Sequence, residues 1–74
     1  MSKLPVVSGK DLVKALGKLG YETDHQKGSH IILRQISSPF RRLTIPNHRE
    51  LAKGTLRSII KESGLTVDEL LSLL

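Results

Sequence analysis

The chain has 74 residues and carries twelve Lys and Arg against seven Asp and Glu, a formal net charge of +5. A chain this short folds around a single core and leaves no room for a large buried active site, so any chemistry must take place on an open surface. It contains no cysteine, which excludes disulfide frameworks and thiolate metal sites. It has no recognisable secretory signal and no apolar run of about 18 residues, so we expect a soluble, cytoplasmic protein.

The charges are distributed unevenly along the chain. Residues 1–61 hold all twelve basic residues and four acids, whereas residues 62–74 hold three acids and no base. A basic body favours a polyanionic partner such as nucleic acid, because binding to phosphates releases counterions. The two aromatic residues, Tyr21 and Phe40, are too few for a base-stacking platform. Phosphate contacts and shape should therefore dominate binding to RNA.

The first predicted element is a helix over residues 9–19. Ser8 and Asp11 resemble a capping box, and Gly20 suits a left-handed stop. The apolar residues at helical spacing are Leu12, Val13, Leu16 and Leu19. Lysines stand four residues apart on the opposite face, at Lys10, Lys14 and Lys18. This stripe is either a solvated face or an edge that faces phosphates.

Three short strands are predicted next, over residues 21–25, 30–36 and 42–45. The middle strand contains three consecutive aliphatic residues, the third alternates cleanly, and Pro46 ends it. Residues 26–29 and 37–40 are the predicted turns. Both connections are short, so both pairs should be antiparallel hairpins.

A second helix is predicted over residues 54–63, with Gly64 as its stop, and Thr66 with Glu69 forms a capping box for a last short helix rich in leucine. The order α-β-β-β-α, plus the short C-terminal helix, predicts an α+β fold with helices on one face of a three-stranded antiparallel sheet. The double-stranded RNA-binding fold has the same order. We expect a single domain over residues 1–74, with a core at about 3–65 and the short helix at 66–74.

Histidines are the residues best suited to proton transfer near neutral pH, and His30 is the best placed of three. It opens the second strand after Gly28 and Ser29, where a turn can bring backbone N–H groups close to a phosphate. Lys27 is near in sequence, and Arg34 should share the face of His30. The alternative is a strand-end histidine that simply packs or points to water.

The other two histidines have weaker claims. A four-residue turn would place His25 almost opposite His30, where the pair could share acid and base roles. Two histidines with only Asp24 beside them make a poor ligand set, so we expect no metal. His48 lies in the loop before the second helix, where it can equally fix the turn. The sequence contains no nucleotide-binding motif, so we expect no cofactor.

Six segments together resemble the HicA toxin family. They are residues 3–5, 8–12, 19–21, 26–30, 45–48 and 54–60, which read KLP, SGKDL, LGY, QKGSH, IPNH and GTLRSII. The resemblance runs from about residue 3 to residue 65. Its specific parts are the Gly-Ser-His triplet at the start of a strand and the GTLRSI helix.

The resemblance implies a double stranded RNA-binding-like fold and a function. HicA toxins are ribosome-independent mRNA interferases of bacterial and archaeal toxin–antitoxin pairs, and a HicB antitoxin silences them by covering the active-site face. The catalytic histidine of the Gly-Ser-His motif falls on His30. From position alone, Lys27, Gly28, Ser29 and Arg34 are supporting candidates.

The resulting hypothesis is a metal-independent endoribonuclease whose RNA backbone contacts come from Lys10, Lys14, Lys18, Arg41 and Arg42. His30 would act either as base or as acid, with the second role left to Lys27, His25 or water. Two alternatives stay open at this point. One is a non-catalytic RNA-binding module with the same fold, and the other is an interaction protein whose basic face docks an acidic partner.

Overall fold

A computed structural model describes residues 3–74 as three helices and three strands. The elements are α1 (Gly9–Gly17), β1 (Tyr21–Lys27), β2 (His30–Gln35), β3 (Arg42–Pro46), α2 (Lys53–Ser63) and α3 (Val67–Leu73). The strands form one antiparallel sheet in the order β1-β2-β3, so β2 is central. This confirms the predicted α+β fold and both hairpins.

One face of the sheet carries the core. Ile31 and Leu33 of β2 and Leu43 and Ile45 of β3 are buried, while the residues between them are more exposed. The helices contribute buried residues to the same cluster, chiefly Leu12, Leu16, Leu56, Ile59, Ile60 and Leu70. All three helices therefore pack on this side, and the opposite side of the sheet is left open.

The helix ends follow their capping residues. The Ser8 hydroxyl accepts a hydrogen bond from the Asp11 backbone N–H at 3.0 Å, and Thr66 and Glu69 form the reciprocal capping box predicted for α3. Gly64 ends α2 in the left-handed conformation, with φ of 77°.

The prediction for the end of α1 was wrong by two residues. The helix ends at Gly17, and residues 18–20 form a turn that reaches Gly20 at a φ of 90°. Leu19 therefore leaves the apolar stripe of the helix and is 41% exposed. The prediction that Leu19 belongs to the apolar stripe depended on a helix that continues to residue 19.

The first hairpin also differs from the prediction. Its turn has two residues, Gly28 and Ser29, instead of four, and β1 continues to Lys27. Gly28 has a φ of +59°, and a glycine with positive φ at the first turn position is what a tight two-residue hairpin uses. Lys27 consequently lies opposite His30, and His25 lies opposite Ile32. The expectation that His25 sits almost opposite His30 was wrong.

The pairing of β1 with β2 is irregular between Thr23 and His25. Thr23 pairs with Leu33 and His25 with Ile32, so Asp24 is an extra residue in a β-bulge.

Within residues 3–74, none of the helices has both the length and the apolar character needed to cross a membrane.

Candidate active site on the open face of the sheet

The open face is the side of the sheet away from the helices, and it consists of three rows of paired residues. The rows are Lys27–His30–Pro46, His25–Ile32–Thr44 and Glu22–Arg34–Arg42, each running from β1 through β2 to β3. Residues paired across strands project to the same face, so the side chains in each row are neighbours. Each row thus contains at least one imidazole, ammonium or guanidinium group.

His30 lies at the first residue of the central strand and is exposed. Lys27 flanks it on β1 and Pro46 on β3. Directly paired residues place their Cβ atoms roughly 4.5–5.5 Å apart. The Lys27 ammonium can therefore reach an anion held by the imidazole. Arg34 shares the face of His30, as expected from the strand period.

Two hydrogen bonds to backbone carbonyls fix this end of the sheet. The Asn47 N–H donates to the Ser29 carbonyl at 2.6 Å, and the Gln26 side-chain amide donates to the Gly28 carbonyl at 3.2 Å. The turn that precedes His30 is thereby tied to both neighbouring segments. Such support holds a catalytic side chain more firmly than an isolated loop would.

The loop after β3 is in turn anchored to the start of α1. The Gly9 N–H donates to the His48 carbonyl at 2.9 Å. A Cβ added to Gly9 would lie 2.1 Å from the Pro46 carbonyl oxygen, so only glycine fits at this close approach. Gly9 therefore sets how closely the loop, and with it the His30 row, packs against the helix layer.

An Asp–His pair occupies the second row, next to the bulge. The His25 Nδ1 and Asp24 Oδ2 atoms are 2.8 Å apart, and Arg42 Nη1 is 3.7 Å from the same carboxylate oxygen. The hydrogen bond with His25 holds the pKa of Asp24 below its usual value; nearby Arg42 and Arg34 also lower it, against the effect of desolvation. The His25 side chain is 54% exposed, so its ring can contact a ligand.

This pair was not visible in the sequence as a unit. The weak alternation of residues 21–25 gave no sign of a bulge, and it is the bulge that puts adjacent residues on one face. An adjacent acid and histidine in a regular strand would point to opposite faces.

The remaining predicted RNA contacts lie away from the open face. Lys10, Lys14 and Lys18 project from α1, in the helix layer. The Lys18 ammonium donates to the Leu73 carbonyl at 2.7 Å. Lys10 borders a shallow depression of about 260 Å³ together with Ser8, Asn47, His48 and Arg49. The structure does not bring these lysines together with His30.

Arg41 contacts the helix layer, whereas its neighbour Arg42 lies on the open face. Its guanidinium donates to the Ser63 carbonyl at 2.9 Å, near the C-terminus of α2. It also lies near the buried hydroxyl of Tyr21, where it partly offsets the rise in the pKa of Tyr21 caused by burial. A cation satisfying the last carbonyls of a helix stabilises that helix end.

Among residues 3–74, histidines and carboxylates do not assemble into groups of three or more that could hold a metal ion.

A family model described as the HicA toxin of bacterial toxin–antitoxin systems matches residues 9–65, well over half of the chain. The chain belongs to the HicA toxin family. The matched region contains the turn before His30, all three strands, the loop of residues 47–52 and α2, whereas α3 follows it. HicA proteins act as the toxin of a pair, so the family gives this chain an antitoxin partner. No curated protein matches the sequence.

Proposed function

We propose that this HicA toxin cleaves mRNA, independently of the ribosome and without a metal ion, with His30 as a catalytic residue. The observation that carries the proposal is the row Lys27–His30–Pro46, in which an exposed imidazole stands beside an ammonium group on an open face. The resemblance of the Gly-Ser-His triplet to the family motif supports the same residue.

The chemistry needed for cleavage is within reach of these groups. The 2′-hydroxyl of the ribose loses its proton and attacks the adjacent phosphorus, the bond from phosphorus to the 5′-oxygen breaks, and that oxygen takes a proton. The products are a 2′,3′-cyclic phosphate and a 5′-hydroxyl. His30 exchanges one of the two protons, which is worth about 10²–10⁴ in rate. Lys27 and the backbone N–H groups of Gly28 and Ser29 stabilise the negative charge on the phosphate.

The RNA backbone follows the open face in this proposal. Arg34 and Arg42 are paired in the third row, so two guanidinium groups lie on the same side as His30. Lys10 and Lys14 would meet only RNA that continues around the edge onto the helix layer. Lys18 and Arg41 each donate to a backbone carbonyl, and we assign them to folding before RNA binding.

The antitoxin in this proposal is a HicB-type protein that covers the open face. A partner bound there would shield His30 and compete with RNA for the same cations. Its contact surface should carry acidic groups opposite Arg34 and Arg42.

The test is incubation of the purified protein with RNA in the presence of EDTA, comparing wild type with His30→Ala. We expect wild type to yield products that end in a 2′,3′-cyclic phosphate, and His30→Ala to be slower by at least about 10²-fold. A matched control is Lys61→Ala, which removes an exposed charge from α2 in the helix layer and should leave the rate unchanged.

Two outcomes would contradict the proposal. Equal cleavage by wild type and His30→Ala would place the activity elsewhere or in a contaminant. Salt-dependent binding without cleavage by either would instead identify a non-catalytic RNA-binding module.

A further inference from the structure

Cleavage requires two proton transfers, and one imidazole cannot carry out both at the same moment. We propose that His25 is the second catalytic group, the general acid that protonates the leaving 5′-oxygen, and that Asp24 positions it. This inference rests on the proposed function and adds to it a residue and a role.

The register places His25 within reach of a phosphate held by His30. His25 is two residues before Lys27 on β1, so it is the diagonal neighbour of His30 on the open face. Diagonal neighbours lie roughly 7–8 Å apart, with somewhat shorter Cβ separations. Two imidazoles at this spacing can hold one phosphate between them, each with a hydrogen bond of about 2.7–3.0 Å. In an in-line displacement, the attacking and leaving oxygens lie on opposite sides of phosphorus. Two imidazoles that flank the phosphate can therefore each reach one of these oxygens.

The hydrogen bond to Asp24 fixes the orientation of the His25 ring. With Nδ1 at 2.8 Å from Asp24 Oδ2, the proton on Nδ1 is donated to the carboxylate, and Nε2 is the nitrogen left to exchange a proton with substrate. The same carboxylate oxygen lies 3.7 Å from Arg42 Nη1, which holds Asp24 from the side of β3. Two contacts from different directions limit the rotation of the pair.

The two imidazoles have different neighbours on the open face. The Asp24 carboxylate contacts the His25 ring at 2.8 Å, whereas the residue paired with His30 on β1 is the cation Lys27. The acid role falls to His25 because its ring is the one that a carboxylate orients, with Nε2 directed away from that contact. The charged or titratable groups that share the open face around His25 are Glu22, Asp24, Lys27, His30, Arg34 and Arg42. Of the two acids, Asp24 is the one that contacts the His25 ring, at 2.8 Å.

The reaction then balances without another reactant. His30 accepts the 2′-hydroxyl proton as the bond between the 2′-oxygen and phosphorus forms. The bond between phosphorus and the 5′-oxygen breaks, and His25 donates its Nε2 proton to that oxygen. The enzyme ends with His30 protonated and His25 neutral, and exchange of protons with water restores both.

A sulfur substitution in the RNA tests the acid role directly. Two oligoribonucleotides are compared at a cleavage site mapped with wild type, one natural and one with sulfur in place of the leaving 5′-oxygen. A thiolate leaves without being protonated, so the modified substrate needs a base but no acid. Circular dichroism of each variant checks that it is folded, and His25→Gln serves as a second variant that keeps a polar side chain.

We expect His25→Ala to cleave the natural substrate about 10²-fold more slowly than wild type, and to recover to within a few fold on the sulfur substrate. His30→Ala should be slow on both. Asp24→Asn should lose about tenfold on the natural substrate and recover on the sulfur substrate, a recovery that a purely structural role would not produce. The matched control is Glu62→Gln, which changes an exposed acid on α2 and should behave as wild type.

The outcomes separate this inference from the proposed function. If His25→Ala cleaves the natural substrate at the wild-type rate while His30→Ala does not, His25 has no catalytic role and the proposed function stands. If His25→Ala is equally slow on both substrates, or if sulfur rescues His30→Ala instead, the assignment of His25 as the acid is overturned. Full activity of His30→Ala would overturn the proposed function itself.

Discussion

The two faces of the sheet share the same strands but differ in what their side chains do. Along β2, Ile31 and Leu33 face the helices and are at most 7% exposed, while His30 and Arg34 alternate with them on the open face. The buried residues stabilise the fold by removing apolar surface from water. The exposed ones contribute little to stability and are available for chemistry. In this small domain, alternation along a single strand supplies core residues on one face and reactive groups on the other.

The largest expected effect on stability comes from comparing substitutions at two adjacent residues of β2, one on each face of the sheet. Leu33→Ala removes a side chain that is 1% exposed and should lower the free energy of unfolding by about 2–5 kcal/mol. Arg34→Ala should change the free energy of unfolding by less than about 0.5 kcal/mol, yet weaken RNA binding. Urea unfolding and RNA titration measure the two quantities. Similar losses of stability in both variants would show that the open face also supports the fold.

A second comparison uses two glycines of α1. Gly9→Ala forces a Cβ against the Pro46 carbonyl and should cost about 1–3 kcal/mol of stability, because backbone has to move. Cleavage should fall as well, since Pro46 pairs with His30 and would move with its carbonyl. Gly17→Ala meets nothing within 4 Å and should be neutral or stabilise by up to about 1 kcal/mol. Thermal unfolding and RNA cleavage are the measurements, and a silent Gly9→Ala would contradict the proposed coupling of α1 to the site.

The smallest expected effect distinguishes two adjacent arginines. Arg41→Ala should reduce stability by about 1 kcal/mol, because its hydrogen bond to the Ser63 carbonyl is lost, and should leave RNA affinity nearly unchanged. Arg42→Ala should leave stability nearly unchanged, because its ion pair is exposed. It should reduce the salt dependence of RNA binding by about 0.7 in the logarithmic slope. An exchange of these two phenotypes would mean that the RNA path runs over the helix layer.

Much of the fold follows from local patterns in the sequence. Capping residues at Ser8 and Thr66, the left-handed Gly64 and the alternation of residues 42–45 each predict a feature that the structure contains. These features depend on near neighbours in the chain, so a pattern can report them. The core face of β2 and β3 follows from the same alternation.

The geometry of the site could not be predicted as fully, because it depends on register. The length of one turn decides whether His25 or Lys27 stands opposite His30, and residues 26–29 are compatible with either a two-residue or a four-residue turn. The bulge at Asp24 changes the pairing again, with no signature in the sequence. The partners of Lys18 and Arg41 are distant in the chain, at Leu73 and Ser63, so charge patterning assigned both cations to RNA.

The short helix α3 has a practical consequence for anyone who expresses this protein. The family match ends at residue 65, but Leu70 lies in the core with 0% of its surface exposed, and the Leu73 carbonyl is tied to Lys18 of the first helix. A fragment that ends at residue 65 would lack α3, so the core residues that Leu70 covers would be exposed to water. The boundary defined by shared ancestry is therefore not the boundary of the folding unit, and the expressed fragment has to include the last nine residues.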